Sequence, residues 1–296
     1  FKANIIASSF VFFVSLPIIL KRIELHFFEE EIFVKVFKFG LPFLPAGIFT
    51  MIMELSDRYL LEFYLGAADV GLYSAGKKMG MLGLTVVMGF NMGWTPYFLK
   101  RGKEMGAKTE FSKITTLFLG IMGYVTLLVS IWISHIMRMS IGGKTLIGSE
   151  FWGCEPVVST ILVGYFFFGT YVIQLPGVYI KEITTWVPLF RISGALSLIV
   201  CSVILIPQVG FMGAAHAVVL AFIVMSLAIY FKTHRVYPIS YNWRGVFYPI
   251  FFLLLIQFDI DGLTPKLFIS ILYPILWYGI AITKDEKDGL KRLIKW

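Results

Sequence analysis

Charge is what this sequence has least of. Of 296 residues only 15% are Asp, Glu, Lys or Arg, while 58% are hydrophobic. No soluble domain of this length carries such a balance, so the composition defines an integral membrane protein. Cysteine is nearly absent as well: Cys154 and Cys201 fall at or inside separate apolar runs, which gives neither a disulfide framework nor a metal spacing. Both read as buried, inert thiols. No nucleophile elbow, zinc-binding helix pair or dinucleotide fingerprint occurs. No catalytic residue, metal or cofactor is therefore expected, and the chain does not read as an enzyme.

Two stretches imitate a phosphate-cradling loop. Gly71, then after four intervening residues Gly76, Lys77 and Lys78, lacks the Ser or Thr that would reach magnesium, and it follows a turn between apolar runs rather than a strand. Gly143-Lys144-Thr145 lacks the upstream glycine, because position 138 is Arg. Neither carries function.

What is present is a series of apolar runs at about 3–20, 39–65, 70–99, 113–136, 154–176, 186–206, 209–231, 244–258 and 266–283. Most are long enough to span a bilayer core as helices, 244–258 being the shortest. They do not alternate polar with apolar as barrel strands would. The fold class is all-α, a polytopic membrane protein of about nine transmembrane helices.

Net charge is +8, but the basic residues sit in short connections, which points to membrane orientation rather than to nucleic acid. One side receives eighteen Lys and Arg, the other only Lys2, Arg138, Lys144 and Lys266. The majority side is cytoplasmic by the positive-inside rule. Trp94, Trp132, Trp152, Trp186 and Trp243 lie near expected span ends, where indoles favour the interface. Residues 21–38, with Glu29, Glu30 and Glu31 beside Ile32, Phe33, Val34, Val36 and Phe37, read as an amphipathic helix on the inner surface. Phe1 leads directly into an apolar run with no small-residue cleavage site after it, which reads as an N-terminally truncated chain rather than a signal peptide.

The runs 39–65 and 70–99 contain charges at membrane depth: Glu54, Asp57 and Arg58 in the first, Lys77 and Lys78 in the second. Each costs roughly 2.5–3.5 kcal/mol in a hydrocarbon setting unless a partner, water or a polar ligand meets it. The connecting turn is Gly66-Ala67-Ala68-Asp69, and Asp57 stands about as far before it as Lys77 and Lys78 stand after it. At 1.5 Å of rise per residue they share a depth on the order of 15 Å, near the bilayer midplane, where secondary transporters bind. Lys77 shares a helical face with Tyr73, Asn91 and Thr95; Lys78 shares one with Ser74, Thr85 and Gly89, because neighbours on a helix point about 100° apart. Lys77 is the better candidate for a cavity, although either lysine could instead only neutralise Asp57. His216 within a later run reads as a relay or as a hydrogen-bonded core histidine, and Arg191 near the inner end of its run as a cavity group or a snorkelling one.

Three segments carry a resemblance. SDRYLLEFYLGAADVGLYSAGKKMG (56–80), GFNMGWTPYF (89–98) and LIPQVGFMGAAHAV (205–218) resemble the C-terminal half of bacterial polysaccharide exporters. These are the O-antigen flippases of the multidrug, oligosaccharidyl-lipid and polysaccharide exporter superfamily. The resemblance implies two six-helix bundles facing each other across a cavity. Residues 1–20 would be the last helix of an otherwise missing first bundle, 21–38 a cytoplasmic linker, 39–231 the second bundle, 244–283 two added helices and 284–296 a basic tail. It also implies a multi-pass protein of the bacterial cytoplasmic membrane. The substrate would be an oligosaccharide linked through pyrophosphate to a polyprenol, with membrane lipids and the missing bundle as the other partners. Lys77, Lys78, Arg191, Tyr73 and Asn91 would then serve the anionic substrate, and Glu54, Asp57 and Arg58 a charge network. An organic-cation or multidrug exporter of the same superfamily would instead show carboxylates without compensating lysines. A membrane-embedded glycosyltransferase or polymerase would need a large outer loop with convergent polar residues.

Overall fold

A computed structural model describes residues 2–21, 29–256 and 262–287, and these are overwhelmingly helical. The chain falls into two compact units, Phe1–Leu41 and Pro42–Trp296. The first contains α1 (Lys2–Leu20) and α2 (Glu30–Gly40). Apolar residues of α1 such as Ile6, Phe10 and Phe13 are exposed, as a lipid-facing span requires. α2 has Glu30 and Glu31 in its first turn and Lys38 in its last, charges that suit the helix dipole. Of the stretch 21–38 expected as an amphipathic surface helix, residues 22–28 lie outside the described residues, and the helix seen there runs from Glu30 to Gly40.

The second unit holds α3 (Phe43–Leu65), α4 (Ala67–Gly80), α5 (Leu82–Arg101), α6 (Ala107–Arg138), α7 (Glu155–Val172), the single turn α8 (Pro176–Tyr179), α9 (Val187–Val209), α10 (Phe211–Val236), α11 (Trp243–Leu255) and α12 (Leu263–Leu276). A two-residue antiparallel bridge pairs Ser140 with Thr145 in the connection after α6. Among the described residues seven helical stretches are long and apolar enough to cross a membrane. The chain is an all-α polytopic membrane protein. Of the nine expected runs, 244–258 forms the 13-residue α11, and its last two positions lie outside the described residues. The run 70–99 does not form one helix.

That run breaks at Met81, between α4 and α5. Glycine costs a helix interior roughly 0.5–1 kcal/mol each, and Gly76, Gly80 and Gly83 crowd this segment. The interruption is local, because Met81 N still donates to Lys77 O at 3.0 Å and Thr85 N to Met81 O at 3.0 Å. The turn before it is shorter than Gly66–Asp69: Gly66 alone, at φ 90°, reverses the chain, and α4 starts at Ala67. An L side chain rarely adopts that φ, so glycine is required there.

The pivot of this unit is α7, apolar around most of its circumference, as a helix buried on several sides must be. α4, α5, α6 and α10 all pack against it. Glycines set the closest approaches: a Cβ on Gly76 would lie 2.7 Å from Val157 Cβ, and one on Gly80 2.6 Å from Ile161 Cγ2. α9 and α10 form a hairpin turned at Gly210, and α3 lies along α9. α11 and α12 dock on α6, where Tyr273 Oη donates to Gly120 O at 2.8 Å and Trp132 Nε1 to Ser270 Oγ at 3.2 Å. Trp94 departs from the interfacial expectation. It is buried, ringed by Phe90, Phe98 and Phe111, because the aromatic run of α5 turns inward against α6.

Candidate functional site

Asp57 and Lys77 meet. Nearly equal sequence distance from Gly66 brings them close in depth on antiparallel helices, and the Lys77 ammonium contacts Asp57 Oδ2 directly. Asp57 is fully buried, and its carboxylate also accepts from Tyr73 Oη at 2.6 Å and Arg58 N at 2.8 Å. Lys77 donates a second hydrogen bond to Glu54 O at 3.2 Å and is only 5% exposed. Ionised, hydrogen-bonded groups at this depth are stable only as such a set, because a lone buried charge is far costlier than a pair.

This set backs a cavity of about 130 Å³ bounded by α3, α4, α5, α7, α9 and α10. Glu54, Arg58, Lys77 and Arg191 all line it, with Tyr165 and Phe168 from α7. Arg191 reaches it from α9, which lies along α3; one turn further on, a Cβ at Gly194 would lie 3.0 Å from Met53 Cε. Its guanidinium sits 4.9 Å from the Tyr171 ring centroid and 5.6 Å from that of Phe168. It has no ion-pair partner among the described residues. Arg58 Nε has no hydrogen-bond partner among them either. Neither guanidinium is paired with a carboxylate among the described residues.

Of the residues expected to serve a substrate, Lys77 and Arg191 line the cavity, and Tyr73 stands behind it on Asp57. Lys78 is exposed and lies outside the lining, as the 100° rotation from Lys77 requires. Asn91 is not brought to the cavity either; it accepts from Thr95 Oγ1 at 3.1 Å, on the far side of the break at Met81. From the expected charge network, Glu54 and Arg58 line the cavity and Asp57 anchors it. Tyr165 was not foreseen, since it sits in an apolar run with no flanking charge. His216 is not among the lining residues. No cluster of His, Cys, Asp or Glu that could hold a metal occurs among the described residues.

The fold and the cavity define a multi-pass helical membrane protein with a charged chamber between its spanning helices. Residues 3–101 match the family model described as "Polysaccharide biosynthesis protein". The matched segment includes α3 and α4, and so the Asp57–Lys77 pair. No curated protein and no solved structure matches the chain.

Proposed function

We propose that the chain works as a flippase in the bacterial cytoplasmic membrane, moving an oligosaccharide linked through pyrophosphate to a polyprenol from the inner to the outer leaflet by alternating access. In this reading 39–231 is one bundle of the transporter, 1–20 ends a second, and 244–283 is an added pair. Neither cofactor nor nucleic acid takes part. The observation that carries the proposal is the sign of the cavity charge. Lys77, Arg58 and Arg191 face Glu54, with Asp57 behind the wall, so cations outnumber carboxylates. A pyrophosphate entering an apolar bundle needs that excess, whereas an exporter of organic cations needs the opposite. A polymerase reading gains nothing from the outer segment after α6, which is a tight bridge and a short 3₁₀ turn.

Arg191 provides the test, because its loss strands no ion-paired carboxylate. Arg191→Gln in a flippase-deficient strain is expected to leave membrane protein levels unchanged. Surface polysaccharide export should fall about 10- to 100-fold, the equivalent of the 1.5–3 kcal/mol typical of a hydrogen bond to a charged group. Undiminished export would remove Arg191 from the substrate path.

A further inference from the structure

Two other cavities meet at Tyr241, and they differ in chemistry. The first, about 530 Å³, opens between the start of α6, the segment 238–242 and residues 283–286, at the end of the bundle where lysine and arginine predominate. Its walls carry opposite charges, Lys108 and Lys113 on α6 facing Asp285 and Glu286. Two of these groups are already engaged. The Lys108 ammonium lies 4.8 Å from the Tyr237 ring centroid. The Glu286 carboxylate accepts from Thr283 N at 2.7 Å, Thr283 Oγ1 at 2.9 Å and Asn242 Nδ2 at 3.1 Å, which caps the last described helical turn. Lys113 and Asp285 have no ion-pair partner among the described residues.

The second cavity, about 320 Å³, runs between α6, α7, α10 and α11 and is almost wholly apolar. Tyr241 lines both. Its rim residues Leu227, Trp243 and Phe247 are exposed, so it opens sideways towards lipid. Trp243 also sets its level, since indoles prefer the membrane interface. A chamber in which Lys113 and Asp285 stay unpaired among the described residues therefore adjoins an apolar chamber that opens towards hydrocarbon.

We infer that these two cavities together bind one phospholipid of the inner leaflet, with a zwitterionic headgroup ending in a primary ammonium. Lys113 takes the phosphate, Asp285 takes the ammonium, and one acyl chain fills the apolar chamber. A purely anionic headgroup satisfies Lys113 but places nothing cationic against Asp285. The site is separate from the charged cavity and does not depend on the transport reading.

Native mass spectrometry of the purified, delipidated protein with phosphatidylethanolamine and phosphatidylglycerol tests this. One phosphatidylethanolamine per chain should be retained, with affinity about tenfold above phosphatidylglycerol, since one charge-assisted contact separates them. Asp285→Asn should abolish that preference and leave phosphatidylglycerol binding intact. Lys113→Gln should weaken both lipids. Val246→Phe, which fills the apolar chamber, should weaken both without changing their ratio, and this split distinguishes recognition from general damage. Equal binding of the two lipids by the unmodified protein would overturn the inference. So would a preference that survives Asp285→Asn, or tighter binding of an isoprenyl phosphate at this site.

Discussion

Replacing Asp57 and Lys77 together, by Asn and Gln, is expected to restore the protein level that either single change lowers, and to leave export absent. Each single change strands a charge: Asp57 has no exposure and Lys77 has 5%. Breaking a buried pair from one side costs roughly 3–5 kcal/mol, enough to deplete a membrane protein from the cell. The double change removes both charges and strands neither, and the introduced asparagine amide can still accept from Tyr73. Stability therefore returns, but the cavity has lost the cation that faces it from α4. Immunoblots of membranes report the first effect and surface polysaccharide the second. Export restored in the double variant would make the pair scaffolding only.

The second large effect concerns the contact that carries Lys77 into place. Gly76 and Gly80 lie on the α4 face pressed against α7, where added Cβ atoms would stand 2.7 Å from Val157 Cβ and 2.6 Å from Ile161 Cγ2. Ala at either position forces α4 away from α7, at a cost of about 1–3 kcal/mol for overpacking. It also displaces Lys77, the residue next to Gly76. Gly89 and Gly93 in α5 have no described atom within 4 Å of such a Cβ. Ala there removes glycine's helix penalty of about 0.5–1 kcal/mol and is expected to be neutral or stabilising. Thermal unfolding in detergent should thus give opposite signs for the two glycine pairs. Equal responses would contradict the close packing of α4 on α7.

The Asp57–Lys77 contact was legible in the sequence because the two arms of a helical hairpin rise equally per residue, so similar distances from the turn mean similar depth, and a lysine side chain spans the small remainder. The choice of Lys77 over Lys78 follows from the rotation between neighbours on a helix. Asn91 fails the same argument: α5 reaches the cavity only through Leu84 near its start, and Asn91, two turns further on, pairs with Thr95 on its own helix instead. Arg191 could be named as a candidate but not placed, since its arrival depends on α9 packing along α3, a helix more than a hundred residues earlier. Tyr165 gave no signal at all. A tyrosine among Phe166, Phe167 and Phe168 looks like a lipid-facing or core residue until the fold points it at a cavity. Trp94 shows the same limit, because proximity to a span end cannot reveal whether an indole faces the interface or Phe111.

The central claim is that the cavity among Glu54, Arg58, Lys77 and Arg191 selects an anion, and binding to the purified protein tests it most directly. The probes are an isoprenyl diphosphate and a lipophilic phosphonium cation of similar size. The diphosphate should bind, and should bind more weakly in the Arg191→Gln variant and in the Asp57→Asn, Lys77→Gln double variant, while binding of the phosphonium cation stays undetected. Binding of the phosphonium cation in preference to the diphosphate would contradict the account.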